Sequence, residues 1–254
     1  MRSATATKIL LGGIGGMALL LLLSGQRREA LPILAVLVTV GGLLYLQHRI
    51  RDVPRREAFR DAARTLGLRH EADDARGLTR LPHPLLHRVA ETRDVGNVLS
   101  GTWHGREVVA FEYRYTAGTG PQEQAQVFAA ICVLTPVPSP WPDLVVEPER
   151  LPTALADALA LRDIAMELET FNRAFEVRST DPRFASAFLD ARMMAWLMES
   201  APVGFGAEIV GGQLLTFVPD LLPWQVDTVL AATVGFLDQV PAVIASLYPE
   251  RPTP

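Results

Sequence analysis

The chain has 254 residues, 24 Lys/Arg against 28 Asp/Glu, a net charge of −4 and a single cysteine, which leaves no room for an internal disulfide framework. Residues 1–64 hold ten Lys/Arg and four Asp/Glu (+6), whereas residues 65–254 hold fourteen and twenty-four (−10). Nucleic acid is thereby excluded as the expected partner, because phosphate neutralisation needs a basic face and the larger part of the chain is acidic.

After a short N-terminus, residues 1–8, two apolar runs follow at 9–24 and 30–47, separated by Gly25-Gln26-Arg27-Arg28-Glu29. The first is uncharged and, at about 1.5 Å per residue, spans roughly 24 Å, close to a bilayer core. The second carries Pro32 in its first turn, where a missing N–H costs least, and Tyr45 near its far end. No small-x-small cleavage site follows Leu23, which favours a transmembrane hairpin over residues 9–47 against a signal peptide. Arg2 and Lys8 precede the pair and Arg49, Arg51, Arg55 and Arg56 follow it, against Arg27 and Arg28 in the loop. The positive-inside bias therefore expects a multi-pass cell-membrane protein with both termini cytoplasmic. Gly13 and Gly42 fall at matching depth, and Gly12-x-x-x-Gly16 is a small-xxx-small spacing, so a glycine seam packs the hairpin or joins two chains as a homo-oligomer.

Residues 48–67 read as a basic juxtamembrane helix, with Phe59, Ala62, Ala63 and Leu66 as its apolar stripe and Gly67 as its stop. Arg49, Arg51, Arg55, Arg56, Arg60 and Arg64 are the expected contacts with anionic headgroups, partly offset by Asp52, Glu57 and Asp61. The remainder, 68–254, is expected to be a cytoplasmic α+β domain with a mainly antiparallel sheet packed by helices. Segments 94–103 and 106–115 flank His104-Gly105 as a hairpin, with Val109, Phe111, Tyr113 and Tyr115 on one face. Segment 126–135 reads as a central strand holding an inert Cys132, and a proline-rich loop leads to a strand at 143–147.

Further along, 167–174 reads as a short helix running into a strand at 175–179. Asp181-Pro182 is a helix N-cap with proline in the first turn, opening a helix that carries Phe184, Phe188 and Leu189 on towards Met193, Met194, Trp196 and Leu197. Gly211-Gly212 joins strands 207–210 and 213–218, and 224–247 reads as one long core helix, since Asp227 and Asp238 leave too short an uncharged stretch for a span.

Glu169-x-Phe171-Asn172-Arg173-x-Phe175-x-Val177, Asp181-x-Arg183-Phe184-Ala185 and Arg192-Met193-Met194-x-Trp196-Leu197, with Asn97-Val98-Leu99-x-Gly101 and Phe111-Glu112-Tyr113-x-Tyr115, resemble a family of uncharacterised actinobacterial membrane proteins. The resemblance covers most of the chain and implies a membrane-anchored domain without an assigned activity. Glu169, Asn172, Arg173 and Asp181 are expected to organise local structure, with Arg173 paired to Glu169 across one helical turn.

No G-x-S-x-G, P-loop, G-x-G-x-x-G or H-E-x-x-H occurs, so no catalytic, cofactor or metal residue is nominated. His83 and His87 have an i, i+4 spacing but no obvious completing ligands and read as surface histidines, and His70 reads as part of a solvated turn. The expectation is a noncatalytic, membrane-anchored module binding a protein or small ligand at the inner leaflet. An enzyme with an unrecognised site in the acidic domain is the alternative.

Overall fold

The computed structural model describes residues 54–117, 126–138, 141–149 and 161–249. The expected transmembrane hairpin, its glycine seam, Arg49 and Arg51 lie outside these residues. Among the described residues no helix is long and apolar enough to cross a membrane.

Helix α1 covers 54–66, and strands β1 (Arg69–Asp73), β2 (Thr92–Trp103), β3 (Arg106–Ala117) and β4 (Gln126–Pro136) follow it. Next come β5 (Leu144–Pro148), β6 (Arg162–Asp163), α2 (Glu169–Asn172), β7 (Phe175–Ser179), α3 (Pro182–Phe188) and α4 (Ala191–Glu199). The chain continues with β8 (Gly206–Val210), β9 (Gln213–Pro219), α5 (Val226–Asp238) and α6 (Ala242–Leu247). The strands form one nine-stranded antiparallel sheet in the order β1-β2-β3-β4-β9-β8-β5-β7-β6. This is the expected α+β class with a mainly antiparallel sheet.

Both tight hairpins form where the sequence places them. His104 and Gly105 have φ of 47° and 77°, and Gly211 and Gly212 have 56° and 78°. Positive φ at both central residues matches the right-handed twist of the strands. Alternation along β3 sends Phe111, Tyr113 and Tyr115 to one face, and Val108 and Ala110 to the other.

Each face is covered differently. On one, α1, α3, α4 and α5 bury Phe59, Ala63, Phe184, Phe188, Met193, Leu197, Leu230 and Phe236. On the other, a strap of residues 74–91 with two 3-10 turns, Leu78–Arg80 and Pro84–His87, presses Leu78, Leu85 and Leu86 onto Phe111, Tyr113, Cys132 and Phe217. Cys132 sits in the middle of β4 as anticipated, and burial pushes its thiol pKa well up, so it stays an inert thiol.

The apolar stripe of the helix at 54–66 packs into the main core, with Phe59 0% and Ala63 1% exposed. Elsewhere the structure differs from the sequence reading. His70 lies on β1, not in a solvated turn, because Arg69–Asp73 pairs with β2. The helix opened by Asp181 stops at Phe188, and Asp190 caps a second one by accepting from the Met193 N–H at 2.8 Å. Finally, 224–247 is not one helix: α5 ends at Asp238, and Pro241, which has no N–H to continue a helical ladder, begins α6 from an extended conformation.

Candidate functional site

Glutamates carried by apolar strands build two buried polar clusters, one on each face of the sheet. On the strap side, Glu147 of β5 and Glu208 of β8 point beneath residues 74–91, at 1% and 0% exposure. The strap brings His83 and Arg88 onto them, at 0% and 1%. Arg88 Nη2 lies 2.7 Å from Glu147 Oε1, and Arg178 of β7 reaches Glu147 Oε2 at 3.3 Å. Glu208 Oε1 accepts the Leu85 N–H at 2.8 Å, which pins the strap to the sheet. His83 Nδ1 is 3.4 Å from Glu208 Oε2 without hydrogen-bond geometry.

Burial pushes Glu147 up to about 7; Arg88 pulls the other way and the nearby Glu208 adds to the rise. Burial works against the Arg88 cation too, but the Glu147 carboxylate holds its pKa above the ordinary value. Tyr113 and Tyr115 complete the surroundings, both raised by burial. A carboxyl near neutrality suits acid–base work, yet this one is closed off from solvent by the strap and held by two arginines.

The second cluster joins α1 to the sheet. A bulge in β2 between Gly96 and Leu99 gives Asn97 a φ of 50° and lets its Nδ2 donate to Glu112 Oε2 at 2.9 Å. Arg114 donates to the same oxygen at 2.7 Å, and Arg55 of α1 donates through Nε to Oε1 at 2.6 Å. Burial alone would raise the Glu112 pKa, but hydrogen bonds from Arg114 and Arg55 outweigh it and hold the carboxyl below its usual range. Of the arginines expected at the membrane surface, Arg55 is thus turned to the sheet, while Arg56, Arg60 and Arg64 are solvent-facing. Arg56 approaches Asp73 at 3.5 Å and Arg64 approaches Asp61 at 3.0 Å.

The other nominated residues are local organisers. Asp181 accepts from the N–H groups of Arg183 and Phe184 and from the Tyr248 hydroxyl, at 2.9, 3.3 and 2.8 Å. Asn172 bridges the Met166 N–H and C=O at 2.8 and 2.7 Å, holding the loop before α2. Arg173 pairs with Glu169 as expected, but in the open, at 71% and 80% side-chain exposure. His83 is buried, not on the surface as expected, and His87 contacts the Leu81 carbonyl at 2.7 Å. Sequence reasoning missed Arg88, Glu112, Glu147 and Glu208. The available signal was a single charge interrupting an apolar strand, as in Phe111-Glu112-Tyr113 and Ala207-Glu208-Ile209.

The described residues also line open concavities. A polar hollow of about 600 Å³ lies over β1 to β3, where Arg76 bonds Glu71 and Ser100 at 2.9 and 2.6 Å. The second, about 400 Å³, runs between α1 and the start of α5 and is lined by Ala58, Asp61, Ala62, Thr65, Leu66, Trp224 and Asp227. Trp224 there is 64% exposed.

No family model matches the chain, and no curated protein matches it. Among solved structures, the crystal structure of the mycobacterial trehalose monomycolate transport factor A, TtfA, is similar, with a TM-score of 0.56 at 16% identity. The match covers 78% of this chain and 98% of that one. At this identity the likeness is one of fold.

Proposed function

We propose that this chain is a noncatalytic, membrane-tethered binding module that engages a protein at the inner leaflet, in the service of cell-envelope glycolipid transport. The observation that carries the reading is the division of labour on α1. Its Phe59 and Ala63 side is built into the core, its Arg56, Arg60 and Arg64 side faces solvent where headgroups can meet it, and its Ala58 and Ala62 side lines the open groove. A helix that follows the apolar N-terminal runs and is locked to the sheet by Arg55 transmits a fixed orientation from bilayer to domain. The fold of TtfA, a trehalose monomycolate transport factor by name, supports the transport setting. The resemblance of the Glu169–Val177 and Arg192–Leu197 motifs to uncharacterised actinobacterial membrane proteins supports the same compartment.

The competing reading is an enzyme, favoured by the neutral-range Glu147 carboxyl. The test is recovery of the tagged full chain from crosslinked membranes. Resistance to alkaline carbonate and co-recovery of a membrane protein in defined stoichiometry are expected. Release by carbonate, or recovery of the chain alone, overturns the proposal.

A further inference from the structure

We infer that the groove between α1 and the start of α5 receives a basic amphipathic helix of a partner protein. This rests on the binding-module reading above and names the occupant. At about 100° per residue, Ala58 and Ala62 lie on the flank of α1 opposite the Arg56/Arg60/Arg64 row, with the core-facing Phe59 between them. The groove therefore stays open when the arginine flank meets a bilayer. Its floor is small and apolar: alanines one turn apart let a facing helix approach closely, since interaxial distance follows side-chain size at the contact.

Trp224 stands beside this floor with most of its ring in water, and an exposed tryptophan next to an apolar groove is the residue type that anchors interfaces. The ionisable residues lining the groove are Asp61 and Asp227, both acidic, and the body behind them carries −10. Asp61 also meets Arg64 at 3.0 Å, yet that pair is two-thirds exposed and exchangeable.

Charge decides between occupants. An anionic bilayer would be repelled by the two aspartates flanking Trp224, whereas a helix with apolar residues along one face and Arg or Lys on its shoulders satisfies floor and rim together.

The probe is a fluorescent 18-residue helical peptide with a Leu/Ala stripe and arginine shoulders, compared with a version bearing glutamates in place of the arginines. Binding is read by anisotropy to the full chain in phosphatidylcholine nanodiscs. The basic peptide is expected to bind at least about tenfold more tightly than its acidic counterpart. Trp224→Ser, and the pair Asp61→Asn with Asp227→Asn, should each weaken it about tenfold without changing the melting temperature. The pair Asp94→Asn with Asp163→Asn, which removes two exposed charges elsewhere, should bind as the parent does. Equal weakening by that control pair, or parental affinity in the groove variants, overturns the inference. So does bromo-lipid quenching of tryptophan emission in anionic nanodiscs that vanishes in Trp224→Ser, since lipid would then fill the groove. Each of these failures leaves carbonate resistance and partner co-recovery untouched, so failure here is separable from failure of the binding-module reading.

Discussion

Replacing Glu112 with glutamine is the sharpest probe of how α1 is held. The carboxylate is 2% exposed and accepts from Arg55, Arg114 and Asn97 at 2.6, 2.7 and 2.9 Å. Glutamine keeps the shape but retains one accepting oxygen and no charge. Hydrogen bonds to charged groups contribute about 1.5–3 kcal/mol each. Arg55 and Arg114 are 27% and 33% exposed and recover hydration, which lowers the cost. A net loss of about 2–4 kcal/mol follows, or roughly 4–16 °C at 2–4 °C per kcal/mol for a domain of this size. The loss should be uneven. Hydrogen exchange in the full chain should accelerate over 58–66, while β4 and β9 at the centre of the sheet stay protected. The pH dependence has a fixed sign: the folded pKa is depressed, so the stabilisation is present above the ordinary carboxylate value of 4.5 and disappears as pH falls through the folded value. Parent and variant should therefore converge in acid. A change below about 1 kcal/mol, a gap that widens in acid, or equal loosening of helix and sheet would refute the reasoning.

Glu147 has the opposite sign. Its folded pKa is raised from 4.5 to about 7, so the parent should lose up to about 3 kcal/mol as pH climbs between those values, while Glu147→Gln stays flat; coincident pH profiles would count against this. Gly206→Ala would drive a Cβ into the Phe217 ring on the neighbouring strand, and a loss of about 1–3 kcal/mol or more is expected in thermal unfolding, relieved by adding Phe217→Leu. Asn172→Ala, which strips two backbone partners from the loop before α2, should cost about 1–3 kcal/mol. Arg173→Ala should shift melting by less than about 2 °C, since its pair is solvent-exposed; a larger effect from Arg173 than from Asn172 would reverse that assignment.

What was legible in the sequence was local. His104-Gly105 and Gly211-Gly212 announce their turns because backbone freedom is a property of those residues. Asp181-Pro182 announces a helix start because the Asp side chain accepts the first free N–H groups and proline fixes a helical φ. Arg69–Asp73 was not legible, because Arg-His-Glu-Ala-Asp shows no apolar alternation and becomes a strand by pairing with β2. The break at Pro241 was visible in principle, but the surrounding apolar run masked it. Glu208 could be suspected from its apolar neighbours, yet the N–H that satisfies it belongs to Leu85, 123 positions away. The groove was hidden likewise, since Ala58 and Trp224 meet only in the folded chain.

Site-directed photocrosslinking in membranes of the native cell tests the central claim most directly. A photoreactive phenylalanine analogue at position 224 of the full chain should give one discrete protein adduct, and the same analogue at position 104, on the exposed β2–β3 turn, should give none. Mass spectrometry should place the crosslink on a partner segment with apolar residues at helical spacing flanked by Arg or Lys. Adducts confined to lipid, equal labelling from both positions, or none from position 224 would contradict the account of this chain as a tethered module that docks its partner through the groove.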